Sequence, residues 1–268
     1  METETSHADA SVGAPARRRA LVRRPALNLA EGQLTHIERS PIDLALAVEQ
    51  WRGYLAALAD EGWDTIEVEP ALHLPDSVFI EDAVILFGNL AVVASPGAPS
   101  RRGETVAAET AVRALGLPVH RLELPGTLDG GDVLKVGRTV YVGRSLRTND
   151  AGIAQLREIL APAGYTVLAV PVTKVLHLKT AVTALPDGTV IGYPPLVDDP
   201  SVFPSFLPVP EPEGTAVVVL DDHTVLMSSA APRSAQLFAA HGYRVVTVDI
   251  SEFEKLEGCV TCLSVRVR

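Results

Sequence analysis

The carboxyl-terminal end of the chain reads as a β-strand that continues to the last residue. Residues 257–268 have the sequence EGCVTCLSVRVR, in which Leu263, Val265 and Val267 alternate with polar side chains. A terminal strand needs a partner, and residues 19–24 (RALVRR) read as a short strand at the start of the globular part. We therefore expect both ends of the chain to meet in one sheet, which leaves no open edge between them.

Between these ends, one order of elements recurs: a hairpin, a helix and a closing strand. The sequence predicts hairpins at 77–87 with 90–94, 132–136 with 139–142, 180–185 with 190–193 and 216–220 with 224–227; helices at 41–62, 102–115, 150–160 and 232–241; and closing strands at 64–69, 119–124, 165–170 and 243–249. A period of about 35 to 55 residues favours a closed ring of similar units. An open α/β sheet is the alternative, but there a helix would follow each single strand.

The ring accounts for the chain without a domain boundary. The Pro-rich stretch 194–212 is predicted to be a loop inside the fourth unit, and not a linker. Residues 1–19 are rich in small, polar and charged residues and predict a mobile tail, with residues 20–268 as a single domain. No apolar segment follows Arg17, Arg18 and Arg19, so the tail does not read as a secretory signal.

Composition narrows the class of partner to small molecules. The chain has 268 residues and a net charge of −10, which disfavours a nucleic-acid backbone. Its apolar runs are far shorter than the roughly 20 residues of a spanning helix, so we expect no membrane partner. Two cysteines without an export signal predict reduced thiols and a cytoplasmic location. The sequence leaves the oligomeric state open, and a homodimer is compatible with it.

A cysteine and a histidine are the candidate catalytic groups. Cys262 follows Gly258 and Thr261 at the start of the terminal strand, where backbone amides near a turn favour a thiolate. His177 lies among apolar residues just before a hairpin and could supply the base that a thiol nucleophile needs. Each also has an ordinary explanation, because lone cysteines are often small buried hydrophobes and histidines often pair inside cores.

Acids and arginines recur at matching points of the units. Residues 76–82 (DSVFIED) hold three acids and an aromatic ring, and residues 128–132 (LDGGD) hold two acids around a glycine pair. Arg101 and Arg147 each precede a helix, and an arginine fork suits a planar carboxylate. Solvated strand edges, turns and helix entries are the competing explanations for these residues.

As a set, these residues resemble a known enzyme family. The segments 76–82, 96–102 (PGAPSRR), 128–132, 147–149 (RTN), 176–179 (LHLK) and 261–262 (TC) are similar to those of dimethylarginine dimethylaminohydrolase, a guanidino-group-modifying enzyme. The resemblance runs in order from about residue 23 to the end of the chain. It implies the pentein fold, a five-bladed α/β propeller, which agrees with the ring predicted from the repeating units.

The resemblance also implies a role for each candidate residue. It makes Cys262 the nucleophile, His177 the acid and base, and Asp129 the carboxylate that orients His177. It further implies that Asp82, with Glu81 nearby, holds a substrate guanidinium, Asp76 its α-amino group and Phe79 its apolar stem, while Arg101 and Arg147 bind its α-carboxylate. The implied reaction converts Nω-methylated L-arginines to L-citrulline and dimethylamine or methylamine through a covalent thiouronium, and it requires no metal or organic cofactor.

Three hypotheses remain open on the sequence alone: this hydrolase, an arginine deiminase or amidinotransferase of the same superfamily, and a non-catalytic amino-acid-binding propeller. Two details are in tension with the first hypothesis. Adjacent side chains of a regular strand point to opposite faces, so Glu81 and Asp82 could reach one ligand only where the strand ends or bulges. Cys259 creates a Cys-x-x-Cys sequence with Cys262, which we interpret as packing in preference to a metal or redox pair.

Overall fold

The computed structural model describes residues 18–267, and their strands form five three-stranded sheets. The strands are β1 (Arg18–Val22), β2 (Trp63–Glu67), β3 (Val84–Phe87), β4 (Leu90–Val93), β5 (Val119–Arg121), β6 (Val133–Val136), β7 (Thr139–Arg144), β8 (Thr166–Pro171), β9 (Val182–Ala184), β10 (Val190–Gly192), β11 (Phe206–Pro208), β12 (Val217–Val219), β13 (Thr224–Ser228), β14 (Arg244–Val248) and β15 (Val265–Val267). The α-helices of the described part are α1 (Leu44–Asp60), α2 (Thr105–Ala114), α3 (Asp150–Leu160), α4 (Leu178–Ala181), α5 (Pro232–Ala240) and α6 (Ser251–Glu254).

Every sheet has the same topology: an antiparallel pair followed by a third strand parallel to the middle one. The orders are β3-β4-β5, β6-β7-β8, β9-β10-β11 and β12-β13-β14. In the remaining sheet, β15-β1-β2, the antiparallel partner of β1 comes from the end of the chain, with Arg19 opposite Val267. The predicted meeting of the two ends in one sheet is therefore confirmed.

The five sheets surround one central cavity. This cavity has a volume of about 280 Å³, and β3, β6, β9, β12 and β15, the inner strand of each sheet, all contribute to its wall. Hydrogen bonds join neighbouring sheets, as between the Lys135 ammonium and the Leu86 carbonyl, or the Val217 amide and the Thr183 hydroxyl. The mixed α/β architecture of five similar units is confirmed.

The helices cover the outer strands because their apolar residues recur on one face. In α1, Ala47, Trp51, Tyr54 and Leu58 are buried in one core cluster, and Asp43 caps the helix by accepting from the Leu46 amide. Helix α3 is capped in the same way, since the Asn149 side chain accepts from the Gly152 amide. Within residues 18–267, no helix combines the length and apolar character needed to cross a bilayer.

Several predicted boundaries were wrong. Residues 77–83, predicted as the start of a strand, form two 3₁₀ turns, Pro75–Val78 and Ile80–Asp82, before β3 begins at Val84. Pro75 starts the first turn, and the amides of Phe79 and Ala83 bond to carbonyls three residues back, which consumes the donors that a strand ladder would use.

Further differences concern the fourth unit, the terminal strand and the predicted tail. The Pro-rich stretch is not entirely a loop, because β11 within it pairs parallel to β10; Pro208 is tolerated since β11 is an edge strand. The predicted strand at 180–185 begins as helix α4, and the terminal strand begins only at Val265. The predicted tail falls mostly on residues 1–17, which lie outside the described residues, whereas Arg18 and Arg19 belong to β1.

Candidate active site

The predicted catalytic residues converge where four inner strands begin. Asp82 lies just before β3, Asp129 before β6, His177 before β9 and Cys262 before β15. Asp76, Phe79, Asp82, Arg101, Arg147, His177 and Cys262 line one small cavity of about 10 Å³. Residues far apart in sequence thus meet at one end of the ring because each occupies the same position in its own unit.

His177 is held by buried carboxylates. Its Nε2 lies 3.0 Å from Asp129 Oδ2, and its Nδ1 lies 3.8 Å from Asp82 Oδ1. Burial alone lowers the pKa of His177, but Asp82, the Asp129 hydrogen bond and Asp132 together raise it to about 9. The imidazole is therefore protonated at neutral pH and equipped to donate a proton.

Asp129 is fixed in turn by backbone and neighbouring side chains. It is fully buried, and its Oδ1 accepts from the Gly97 amide at 2.9 Å. Arg147 Nη1 lies 3.6 Å from its Oδ2. This arrangement leaves Oδ2 directed at His177, so Asp129 fixes the orientation of the ring and Nδ1 is left for chemistry at the cavity.

Asp82 belongs to a buried ion-pair network. Its Oδ2 accepts from Arg101 Nη1 at 2.6 Å and its Oδ1 from the Gly131 amide at 2.8 Å. Burial raises the pKa of Asp82, but His177 and Arg101 outweigh burial and lower the pKa to about 2. Arg101 also donates through Nε and Nη2 to both oxygens of Glu104, so its fork is occupied within the protein.

Gly131 permits the close approach of these groups. A Cβ at this position would lie 2.6 Å from His177 Nδ1 and 2.7 Å from Asp82 Oδ1, closer than real Cβ contacts. Gly131 is therefore required sterically, which explains the glycine pair after Asp129.

The thiol of Cys262 lies beside a second thiol. Its Sγ is 3.3 Å from Cys259 Sγ, and both residues belong to a turn in which the Cys262 amide donates to the Cys259 carbonyl at 3.1 Å. The Cys259 contact, burial and the carboxylates of Glu81 and Asp82 raise the pKa of Cys262 well above its usual value. With these neighbours alone, Cys262 is a neutral thiol at neutral pH.

A loop before α1 closes over the cavity, which Gln33 helps to line. Gln33 engages two predicted substrate-binding residues: its amide donates to Asp76 Oδ1 at 3.0 Å, and its Oε1 accepts from Arg147 Nη2 at 2.9 Å. The Glu257 carboxylate accepts from the Thr35 and His36 amides and holds the same loop. Glu257 has a φ of 58°, a left-handed conformation uncommon for a non-glycine residue and frequent at functional sites.

Asp76 and Phe79 also line this cavity. Burial raises the pKa of Asp76, although Arg101 and the Gln33 amide oppose the rise. The Phe79 ring packs against Phe253 edge to face, with ring centroids 6.3 Å apart. Gly258 makes room for this ring, because a Cβ there would lie 2.3 Å from it.

Glu81 is the predicted substrate-binding residue that does not line this cavity. Its carboxylate lies 2.5 Å from Lys179 Nζ, accepts from the Thr261 hydroxyl at 2.8 Å, and faces the central cavity instead. Both acids belong to the 3₁₀ turn Ile80–Asp82, which ends just before β3 begins at Val84. In this turn the two side chains point in different directions. The prediction that both contact one guanidinium is not supported by this placement.

The structure also places polar residues around the site that the sequence did not assign to it. Asp132 is fully buried beside His177, accepts from the Leu178 amide and two hydroxyls, and burial raises its pKa to about 6. Glu104 clamps Arg101, while Gln33 and Glu257 form and hold the loop. The second acid of LDGGD was the available signal for Asp132; the other contacts depend on tertiary structure.

Asp82, Asp129 and His177 also place ligand atoms within 4.8 Å of one another, as a metal site would. Each of these atoms already has a protein partner, and a protonated His177 has no lone pair for a cation. The cluster therefore favours an ion-pair network over metal binding.

Comparison with known proteins identifies the family. The arginine deiminase family model matches residues 66–216. A curated N(G),N(G)-dimethylarginine dimethylaminohydrolase from Streptomyces coelicolor is 60% identical over 251 residues, which cover 94% of this chain and 97% of that protein. The chain belongs to the dimethylarginine dimethylaminohydrolase family. The resemblance inferred from six short motifs is thus confirmed.

Other members of the dimethylarginine dimethylaminohydrolase family agree in sequence and structure. The enzyme from Pseudomonas aeruginosa is 38% identical over 92% of this chain and 98% of its own. A solved variant of that enzyme, complexed with citrulline, superposes with a TM-score of 0.85 at 37% identity over 92% of this chain and 98% of its own. A dimethylarginine dimethylaminohydrolase variant captured as an adduct with S-methyl-L-thiocitrulline gives 0.86 at 36% identity, with the same coverage. The pentein fold expected from the resemblance is confirmed.

Proposed function

We propose that the protein hydrolyses Nω-methylated L-arginines to L-citrulline and methylamine or dimethylamine. The observation that carries the proposal is the convergence, in one buried cavity, of the Cys262 thiol with a His177 imidazolium anchored to Asp129. Residues 20–268 act as one catalytic domain in this proposal, with a small-molecule substrate. A cytoplasmic location and a homodimer remain predictions, which cell fractionation and sedimentation of the purified protein test.

Substrate binding uses the charges around the cavity. Asp82 holds the guanidinium, Asp76 the α-amino group, Phe79 the apolar stem and Arg147 the α-carboxylate. Arg147 suits this role because it is buried and its Nη1 has no hydrogen-bond acceptor. Arg101 acts on the substrate α-carboxylate only indirectly, since Glu104 and Asp82 already accept hydrogen bonds from its guanidinium group.

The loop that carries Gln33 must move for substrate to enter. A cavity of about 10 Å³ accommodates roughly one water molecule, far less than an amino acid. Gln33 occupies donors and acceptors of Asp76 and Arg147 that the substrate head group would use. Substrate binding therefore exchanges the Gln33 contacts for those of the α-amino and α-carboxylate groups.

The substrate itself promotes formation of the nucleophile. Cys262 is a neutral thiol because of the Cys259 contact, burial and nearby carboxylates, and a guanidinium docked against Asp82 places a positive charge beside it. This charge favours the thiolate: the thiol proton is released to solvent as substrate binds, and the thiolate attacks the central carbon of the guanidinium and forms a C–S bond. Protonated His177 gives its proton to the departing amine, which leaves a covalent thiouronium.

The second half of the reaction releases the product. Neutral His177 accepts a proton from water as the water attacks the thiouronium carbon. The C–S bond then breaks, Cys262 is restored, and citrulline leaves. Asp129 keeps the ring oriented through both proton transfers because its Oδ2 stays bonded to Nε2.

The test is citrulline formation from asymmetric dimethylarginine, monomethylarginine and arginine, assayed separately with the purified protein. Citrulline from the methylated substrates supports the proposal, whereas citrulline from arginine alone would indicate a deiminase. The variant Cys262→Ser is expected to abolish turnover, and the matched control Cys259→Ser to retain most of it. Equal loss in the two variants would contradict Cys262 as the single nucleophile.

A further inference from the structure

The second thiol, Cys259, has no task in the proposed hydrolysis. It is half-buried and lines a groove of about 260 Å³ together with His36 and Glu257, next to the loop over the site. Cys262 lines the small catalytic cavity instead. The two sulfur atoms, 3.3 Å apart, therefore connect an accessible groove with the catalytic cavity.

The backbone between the two cysteines already has a geometry that a disulfide can use. Cys259 and Cys262 are the first and last residues of a tight turn closed by a 3.1 Å hydrogen bond between their main chains. Residues so related have Cα atoms less than about 7 Å apart, and disulfides span Cα separations of roughly 4.4–6.8 Å. Bond formation requires the sulfurs to approach to about 2.05 Å, which side-chain rotation can supply.

The two thiols also differ in reactivity. The hydrogen bond from Cys262 lowers the pKa of Cys259 to about 7 despite burial and the Glu81 carboxylate, and the Thr261 hydroxyl acts in the same direction. Cys259 is therefore the more readily ionised of the two thiols near neutral pH, and Cys262 is the less readily ionised. Because the thiolate is the nucleophile, Cys259 is the thiol that reacts with an oxidant in the groove.

We propose that Cys259 is a reversible oxidation site: a hydroperoxide oxidises it, and Cys262 then closes a Cys259–Cys262 disulfide that switches off the hydrolase. The inference rests on the proposed function, since only an enzyme that uses Cys262 would be switched off. It assigns Cys259 a regulatory role that the hydrolysis itself does not require.

The chemistry balances over two steps. The Cys259 thiolate attacks one oxygen of the hydroperoxide, an S–O bond forms, the O–O bond breaks, and an alcohol, or water from hydrogen peroxide, leaves after protonation. The Cys262 thiol then attacks the sulfenic sulfur, the S–S bond forms, and the hydroxyl group leaves as water with the thiol proton. Two thiols lose two electrons and two protons to the peroxide, and a dithiol reductant returns them.

The experiment exposes the purified full chain to hydrogen peroxide at pH 7 and follows citrulline formation and intact mass. We expect activity to fall as the mass decreases by two hydrogens, and both to recover with dithiothreitol. A peptide containing residues 259–262 should carry the internal bond. Loss of activity with only oxygen added to the mass, or without recovery, would overturn the proposal.

Two variants separate this proposal from the proposed function. Cys259→Ser should keep its basal activity, show no loss of two hydrogens, and be inactivated at least about fivefold more slowly, since burial and the Glu81 and Asp82 carboxylates still disfavour ionisation of the remaining thiol. Cys262→Ser should still form a sulfenic acid at Cys259 that dimedone traps. Inactivation of Cys259→Ser at the wild-type rate would refute the role of Cys259.

The mass measurement does not depend on turnover. If the protein formed the disulfide but released no citrulline from any arginine derivative, the oxidation site would stand and the proposed function would fail. If citrulline formed normally and peroxide left both thiols free, the oxidation site alone would fail.

Discussion

Replacing Asp129 by asparagine tests how the imidazolium is maintained. The pKa of His177 is raised from 6.5 to about 9, although burial opposes the rise. This difference corresponds to about 3 kcal/mol in favour of the protonated ring. Asp82, Asp129 and Asp132 share it, and Asp129 contributes through its 3.0 Å hydrogen bond as well as its charge.

Asp129→Asn removes one negative charge next to the ring and keeps the shape of the side chain. The protonated form of His177 loses a stabilising partner, so its pKa must fall; a buried ion pair contributes about 1–3 pKa units. Since the two other carboxylates remain, we expect a fall of about 1–2 units. Proton donation to the departing amine should then be lost at a correspondingly lower pH.

The assay is the pH dependence of kcat/KM for asymmetric dimethylarginine, together with NMR titration of the His177 ring. In the unmodified protein the alkaline limb should lie near pH 9. In Asp129→Asn it should move down by about 1–2 pH units, while Asp222→Asn, at an exposed hairpin turn, leaves it in place. An alkaline limb unchanged in Asp129→Asn would refute the assignment of that limb to His177.

The same variant should also change how the stability of the fold depends on pH, in a direction that follows from the pKa of His177. His177 has a folded pKa above its unfolded value of 6.5, so its protonation stabilises the fold fully below about pH 6.5 and this stabilisation is lost as pH rises through about 9. Because the folded pKa of His177 is lower in Asp129→Asn, this stabilisation should be lost at a lower pH. Urea denaturation measured at a series of increasing pH values tests this. Equal pH dependence in both proteins would contradict the coupling.

Two further predictions concern binding and positioning. Arg147→Ala should raise KM for methylarginines by about 10- to 100-fold, as expected for a lost charge-assisted hydrogen bond, with a smaller change in kcat. Steady-state kinetics in which kcat falls and KM stays constant would show that Arg147 does not bind the substrate α-carboxylate in the ground state. Gly131→Ala should reduce kcat by at least about 100-fold, because its Cβ would displace His177 and Asp82. The control Gly53→Ala lies on α1, where the added Cβ meets no atom within 4 Å, and should retain full activity and stability. A fully active Gly131→Ala protein would show that the site tolerates that displacement.

The order of units and the meeting of the chain ends were predictable because both depend on local patterns. Alternating apolar residues define β15, and its need for a partner identifies β1. The position of Cys262 near His177 followed only from the family resemblance, since residues 85 positions apart can be brought together in many ways. The ring explains that proximity afterwards: each residue precedes the inner strand of its own sheet.

The contacts that escaped prediction depend on which way a side chain points after an irregular turn. Gln33 and Glu104 belong to no recognisable sequence motif. Gln33 nevertheless hydrogen-bonds to both Asp76 and Arg147, and Glu104 accepts hydrogen bonds from the Arg101 guanidinium. A polar residue near a helix start is usually solvated, so the pattern alone cannot separate such a residue from a partner of a buried arginine.

Glu81 and Asp82 show why this distinction matters for the chemistry. Had residues 77–87 formed one strand, alternation would have sent the two acids to opposite faces. The 3₁₀ turn that replaces the strand separates them as well: Asp82 meets His177 and Arg101 in the catalytic cavity, and Glu81 meets Lys179 beside the central one. Under the proposed mechanism, a single carboxylate therefore receives the guanidinium, and the neighbouring acid keeps its charge paired with Lys179 within the ring.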